Sequence, residues 1–85
     1  MTYRVLIDPA ALRELQKLPR VAFAAALDAV MGLVADARPH GARALVGEPA
    51  GVLRIRIGDY RIVYHVSDDD HTVTVYRVAH RREVY

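Results

Sequence analysis

The segment from Val52 to Val66 constrains this chain more than any other. Leu53, Ile55 and Ile57 alternate with Arg54 and Arg56, and after Gly58-Asp59 the residues Tyr60, Ile62, Tyr64 and Val66 alternate with Arg61, Val63 and His65. Strict alternation marks a strand with one buried face. A Gly-Asp pair between two such runs predicts a two-residue hairpin turn, which sets the register. Ile57 then faces Tyr60, Arg56 faces Arg61, Ile55 faces Ile62 and Arg54 faces Val63. The sides follow from the pleat: Leu53, Ile55, Ile57, Tyr60, Ile62, Tyr64 and Val66 form the core face, and Arg54, Arg56, Arg61, Val63 and His65 share the other.

The rest of the chain supplies a cover for that core face. Thr2 to Ile7 is β-prone and predicts a first strand. Asp8-Pro9 predicts a helix start, because the carboxylate accepts from unpaired backbone donors and proline at the first helical position loses no bond. This helix is expected to run to about Leu18, with Ala11, Leu12, Leu15 and Leu18 as its apolar stripe and Pro19 after it. A second helix is expected from Val21 to about Asp36, with Phe23, Leu27, Val30, Met31 and Val34 at helical spacing. Residues 37–51 read as loop around a short apolar island at Ala44 to Val46, with room for a brief strand or a turn of helix, and His71 to Val78 reads as a third β run of the C-terminal half. The order predicts an α+β domain: an N-terminal strand, an αα-hairpin and a C-terminal antiparallel β-meander. At 85 residues it is one domain.

The turn before the last strand leaves two registers open. With three turn residues, Asp68 to Asp70, Arg61 faces Arg77 and Arg81 projects on the arginine side. With two, Arg81 projects toward the helices. Three is preferred, since the other register carries Arg77 toward the core.

Charge points to the outer face of the hairpin. Eleven of the twelve basic residues are arginine, and the formal net charge is only +2. Like charges at directly opposed positions destabilise a sheet by about 0.2–1 kcal/mol, so the fold gains nothing from pairing Arg56 with Arg61. Arginine presents a planar fork of donors suited to phosphate. Three guanidinium groups on a rigid sheet suit a polyanion, above all one on which charge builds up during reaction. The plain alternative is a solvated sheet face whose arginines reflect genome composition, or one whose Arg61 is met by Asp59.

The C-terminal segment adds a titratable His80, then Arg81, Arg82 and a terminal Tyr85. His40, His65 and His71 read as ordinary surface or loop residues, and Tyr60, Tyr64 and Tyr76 as core aromatics with hydrated hydroxyls. No cysteine is present, which excludes a thiolate metal site and fits a reducing compartment. The apolar stretch Val21 to Val34 is interrupted by Asp28 and too short to span a bilayer, and no basic-then-apolar leader precedes it. A cytoplasmic protein without membrane contact is expected.

The run Leu53-Arg54-Ile55-Arg56-Ile57-Gly58-Asp59-Tyr60-Arg61-Ile62-Val63-Tyr64, followed by a valine-rich strand and the ending His80-Arg81-Arg82-Glu83-Val84-Tyr85, resembles the RelE family of bacterial toxins. The opening strand, the Asp8-Pro9 start and the helical hairpin also fit the wider RelE/ParE superfamily. The resemblance implies the toxin of a type II toxin-antitoxin system, a ribosome-dependent mRNA endonuclease acting in the A site without metal or cofactor. It implies as partners a RelB-like antitoxin, the 70S ribosome with its mRNA, and operator DNA only through the toxin-antitoxin complex. By position, Arg54 and Arg56 fall on the paired basic residues of the family, Arg61 on the arginine of the GDYR segment, Arg81 on the arginine after the last strand and Tyr85 on the tyrosine of the EVY ending. Family members with lysine at the first paired position can use it as a base, whereas arginine keeps its proton above pH ~12. His80 becomes the candidate general base. The rival within the superfamily is a ParE-like toxin that poisons DNA gyrase by binding.

Overall fold

The computed structural model describes residues 2–80 and Arg82. The chain runs β1 (Arg4–Ile7), α1 (Pro9–Gln16), α2 (Arg20–Gly32), β2 (Arg43–Ala44), β3 (Val52–Ile57), β4 (Tyr60–Ser67) and β5 (Thr72–His80). Five strands form one sheet in the order β1-β5-β4-β3-β2. All neighbours are antiparallel except β1, which lies parallel to β5. The α+β expectation holds, with the predicted meander as the sheet's centre.

Local chemistry sets the helix ends. Asp8 caps α1 by accepting from the Ala10 amide at 3.0 Å, with Pro9 at the first helical position. The second helix stops at Gly32 rather than near Asp36, because its last turn tightens: the Leu33 and Val34 amides donate to Val30 and Met31, three residues back. This turn folds Leu33 and Ala37 into the core and ties the Val34 carbonyl to the Tyr3 amide at 2.7 Å.

Both helices cover one face of the sheet, and the faces divide as the alternation predicts. Leu53, Tyr64, Val75 and Ile7 form one transverse row beneath the helices, and Ile55, Ile62 and Val78 form the next. The apolar stripes of the helices are corrected, however. Ala11, Leu15, Ala26, Val30 and Leu33 are buried, whereas Leu12, Leu27 and Met31 lie on the surface. Small alanines let the helices approach closely, which turns the bulkier side chains outward.

Tyr64 is also corrected, because its hydroxyl is not hydrated. The side chain is fully buried and donates to the Ala37 carbonyl at 2.9 Å. Burial pushes the phenol up to about 12 from 10.0. The unfolded chain therefore releases this proton first, and stability present below pH 10 is lost as pH rises toward 12. In Tyr64→Phe the Ala37 carbonyl loses its donor, at a cost of about 1–2 kcal/mol near neutrality. The same variant is expected to show a flatter alkaline limb in denaturant titrations between pH 10 and 12.

Candidate nucleic-acid interface

The face of the sheet turned away from the helices carries the arginines in two transverse rows. Arg56, Arg61 and Ala79 align in one, and Arg43, Arg54, Val63 and Arg77 in the next. Directly opposed residues in antiparallel strands stand about 4.5–5.5 Å apart at Cα, so five guanidinium groups share a small patch. The register of β3 and β4 is the one the Gly58-Asp59 turn dictates. Gly58 has φ +58° at the first central position of that turn, as a two-residue hairpin of this kind requires.

The arginines differ in setting. Arg56 is exposed and donates through Nε to the Gly58 carbonyl at 3.2 Å, which holds it over the turn. Arg54 is half-buried. Arg61 lies on the expected face but is only 6 % exposed. Its opposite neighbour on β5 is the small Ala79, and its Nη1 donates to the Tyr60 carbonyl at 3.5 Å. Arg61 is thus part of the packing as well as of the charge.

The register of β5 overturns the expected three-residue turn. Ser67 pairs with Thr72, leaving four residues, Asp68 to His71, in the turn, with His71 at φ +49°. A bulge then inserts Tyr76, so that Tyr64 faces Val75 and Val63 faces Arg77. Arg77 therefore stands opposite Val63 and not Arg61. Without the bulge, the four-residue turn places Arg77 opposite Ile62 on the core side; with it, Arg77 returns to the outer face. Tyr76 is 45 % exposed there, not a core aromatic.

Glu14 of α1 closes the sheet beyond the end of β1. Its Oε1 accepts from the Val78 amide at 2.9 Å, and its Oε2 lies 3.5 Å from Arg77 Nε. Glu14→Ala leaves the buried Val78 amide without its partner, with an expected loss of about 1–3 kcal/mol. Thermal or urea unfolding measures it.

The acidic run is drawn away from the arginines. Asp68, at the far end of β4 from Arg61, is gripped by Arg38 through contacts of 3.1 and 2.9 Å and accepts from the Tyr3 hydroxyl at 2.8 Å. Hydrogen bonds from Arg38, then from Tyr3, hold its carboxyl below the usual carboxylate range.

The sequence-predicted site residues divide into three groups. Arg54, Arg56 and Arg61 share one face. His80 pairs with Tyr60 at the end of the sheet, with ring centroids 5.6 Å apart, beside a crevice lined by Lys17 and Leu18. It stands on the helix side, away from the arginines, and its Nδ1 accepts from the Arg82 amide at 3.3 Å. Arg81 and Tyr85 lie outside the described residues. Arg43 was not anticipated: β2 has two residues, too short for periodicity to register, yet it extends the row to the sheet edge.

Known proteins share this fold and resemble this sequence. The family model described as ParE toxin of type II toxin-antitoxin system, parDE, matches residues 5–85. Toxin RelG of Mycobacterium tuberculosis is 34 % identical over 85 residues, covering 100 % of this chain and 98 % of the relative. Toxin RelE of the same organism is 36 % identical over 84 residues, covering 98 % of this chain and 86 % of the relative. The crystal structure of the toxin-antitoxin complex RelBE2 from M. tuberculosis contains a chain that superposes with a TM-score of 0.81 at 33 % identity, covering 95 % of this chain and 100 % of that one. A helical hairpin packed on one face of a sheet whose other face bears the arginines, together with a sequence match along the whole chain, identifies the chain as a member of the RelE/ParE family of toxins of type II toxin-antitoxin systems.

Proposed function

We propose that this protein is a ribosome-dependent endoribonuclease that cuts translated mRNA in the A site. The observation that carries the reading is the opposition of Arg56 to Arg61 and of Arg43 to Arg54 on the face the helices leave uncovered. In the reaction a ribose 2′-OH gives its proton to water and attacks the adjacent phosphorus, and the bond from phosphorus to the 5′ oxygen breaks as that oxygen takes a proton from water. The products are a 2′,3′-cyclic phosphate and a 5′-OH. Negative charge grows on the non-bridging oxygens, where fixed donors from Arg54, Arg56 and Arg61 stabilise it. Arg81 as a further cation and Tyr85 as a base-stacking residue are carried by the family pattern. His80 faces Tyr60, so its imidazole does not meet the arginine cluster in this arrangement, and His80→Ala is expected to keep the parent's pH profile. Orientation of the message by the ribosome then supplies much of the rate.

With about four phosphates engaged, the logarithm of affinity for single-stranded RNA falls with the logarithm of salt at a slope of about −3. A RelB-like antitoxin is the expected inhibitor, in line with the complex formed by the M. tuberculosis relative. An acidic or helical segment laid over the arginine face blocks RNA by occupying its place, and exposed Leu12, Leu27 and Met31 offer it an apolar seat on the helices. The toxin-antitoxin complex, rather than the toxin, is the species expected on operator DNA, in the cytoplasm.

The family model's description as a ParE toxin favours a second reading, the poisoning of DNA gyrase by binding. Mapping 5′ ends of a translated message with and without the protein, beside a supercoiling assay with purified gyrase, separates the two. New 5′ ends that vanish in Arg56→Ala support cleavage. An unchanged message with inhibited supercoiling overturns it.

A further inference from the structure

A groove of about 580 Å³ opens on the outer face beside the arginine rows. Its floor is Val52 and Val63, Tyr76 and Arg77 stand along β5, and Glu48 reaches in from the loop before β3. The size lies within the ~300–1,000 Å³ of small-ligand sites. Val63 is the link to the arginines, since it lies directly between Arg54 and Arg77 in one transverse row.

The bulge at Tyr76 builds this groove. In a regular strand consecutive residues point to opposite faces, yet Tyr76 and Arg77 both line the same cavity. The bulge accounts for keeping Arg77 out of the core. It does not require an aromatic ring at the inserted position, left 45 % exposed above an apolar floor. The opposite wall is held tightly. Gly51 has φ +93°, its Cβ position is 3.0 Å from His65 Nε2, and its carbonyl accepts from the Val66 amide at 2.9 Å, so only glycine lets the loop pass this close to β4.

We infer that this groove holds a nucleobase carrying an exocyclic amino group, stacked on Tyr76, with Glu48 accepting from the amine while the phosphate of the same nucleotide lies on the arginine row. An aromatic side chain is a platform for any base. A carboxylate distinguishes among them, because it accepts from the exocyclic amines of adenine, cytosine or guanine, whereas the one Watson–Crick-edge donor of uracil, N3–H, lies between two carbonyl oxygens that repel it. The charge pattern fits one nucleotide: a largely apolar slot in which Glu48 presents a carboxylate to the base, and guanidinium groups in the adjoining row for its phosphate. The inference deepens the RNA reading above and rests on it for the source of the base.

The test uses purified protein and four tetraribonucleotides that differ at one base and carry a 2′-deoxy sugar at the adjoining linkage, which prevents cleavage. Affinity is read from the fluorescence anisotropy of labelled oligonucleotides across a salt series, and NMR shifts at Tyr76 of the parent locate the bound base. The parent is expected to bind amine-bearing sequences about tenfold tighter than the uracil sequence. Tyr76→Ala loses about 5- to 100-fold of affinity for all four at an unchanged salt slope, and Tyr76→Phe retains it. Glu48→Gln keeps the affinity for uracil and removes the discrimination. Thermal unfolding of each variant establishes that the fold is intact.

If Tyr76→Ala and Glu48→Gln bind all four oligonucleotides as the parent does, the groove is not a base subsite, whatever the cleavage maps show. If Tyr76 signals shift only on addition of an antitoxin, the occupant is protein and the inference is overturned. Base discrimination that depends on Tyr76, in a protein that leaves translated mRNA uncut, upholds the groove and removes the nuclease.

Discussion

Arg56→Ala is expected to lower mRNA cleavage in a translating extract by about 10²–10³-fold, the usual cost of removing one preorganised donor from a developing oxyanion, while leaving the protein as stable as before or more so. Arg56 is exposed and stands directly opposite Arg61, so its loss removes a like-charge opposition of about 0.2–1 kcal/mol. Opposite signs for activity and stability distinguish a charge retained for function from one that merely solvates a sheet. Arg54→Ala is expected to follow the same pattern with a smaller gain in stability, since Arg54 is half-buried. Arg61→Ala departs from it. At 6 % exposure its aliphatic stem is packed, so truncation lowers both the melting temperature and the cleavage rate. The double variant Arg54→Ala/Arg56→Ala is expected to lose less than the product of the single effects, because groups that stabilise one charge act together. Equal cleavage by Arg56→Ala and the parent, at matched folding, removes the arginine face from the mechanism.

The hairpin was legible in the sequence because two local signals agreed: period-two alternation and a Gly-Asp turn that sets register without help from the rest of the chain. The opposition of Arg56 to Arg61 follows from those residues alone. β5 was not legible to the same degree. Its register depends on a four-residue turn closed by His71 at φ +49° and on one inserted residue, and neither alters the valine-rich pattern that marks the strand. Displacement by a single residue exchanges the faces, so the position of Arg77 and the exposure of Tyr76 emerged only with the three-dimensional pairing. The helix stripes failed for another reason. Hydrophobicity ranks Leu12, Leu27 and Met31 above alanine, but close packing on a sheet favours the small side chains of Ala11 and Ala26. The groove is not legible in the sequence because its lining comes from β3, β4, β5 and a loop that sequence marks only as irregular.

Val63 offers a test of the electrostatic reading that removes no arginine. It is 8 % exposed, lies on the outer face and has Arg54 and Arg77 as its direct neighbours across the sheet. In Val63→Glu a carboxylate enters the row between two guanidinium groups, where charge-assisted hydrogen bonds offset the cost of placing it there. The helix-side core is untouched, so the variant is expected to fold, with a stability change within about 2 kcal/mol. Its effect on RNA is large. The new carboxylate competes with phosphate for Arg54, while Arg77 already meets Glu14, so about one phosphate contact is lost and the salt slope shrinks by about 0.7. Cleavage falls by about 10²-fold or more as the fixed positive field at the reacting phosphate is neutralised. Val63→Gln has the same length and polarity without the charge, and it is expected to stay within about tenfold of the parent. A difference between Glu and Gln at this one position measures how much of the activity is owed to the sign of the field. If the two variants lose activity equally, shape at Val63 governs the site and the guanidinium rows do not.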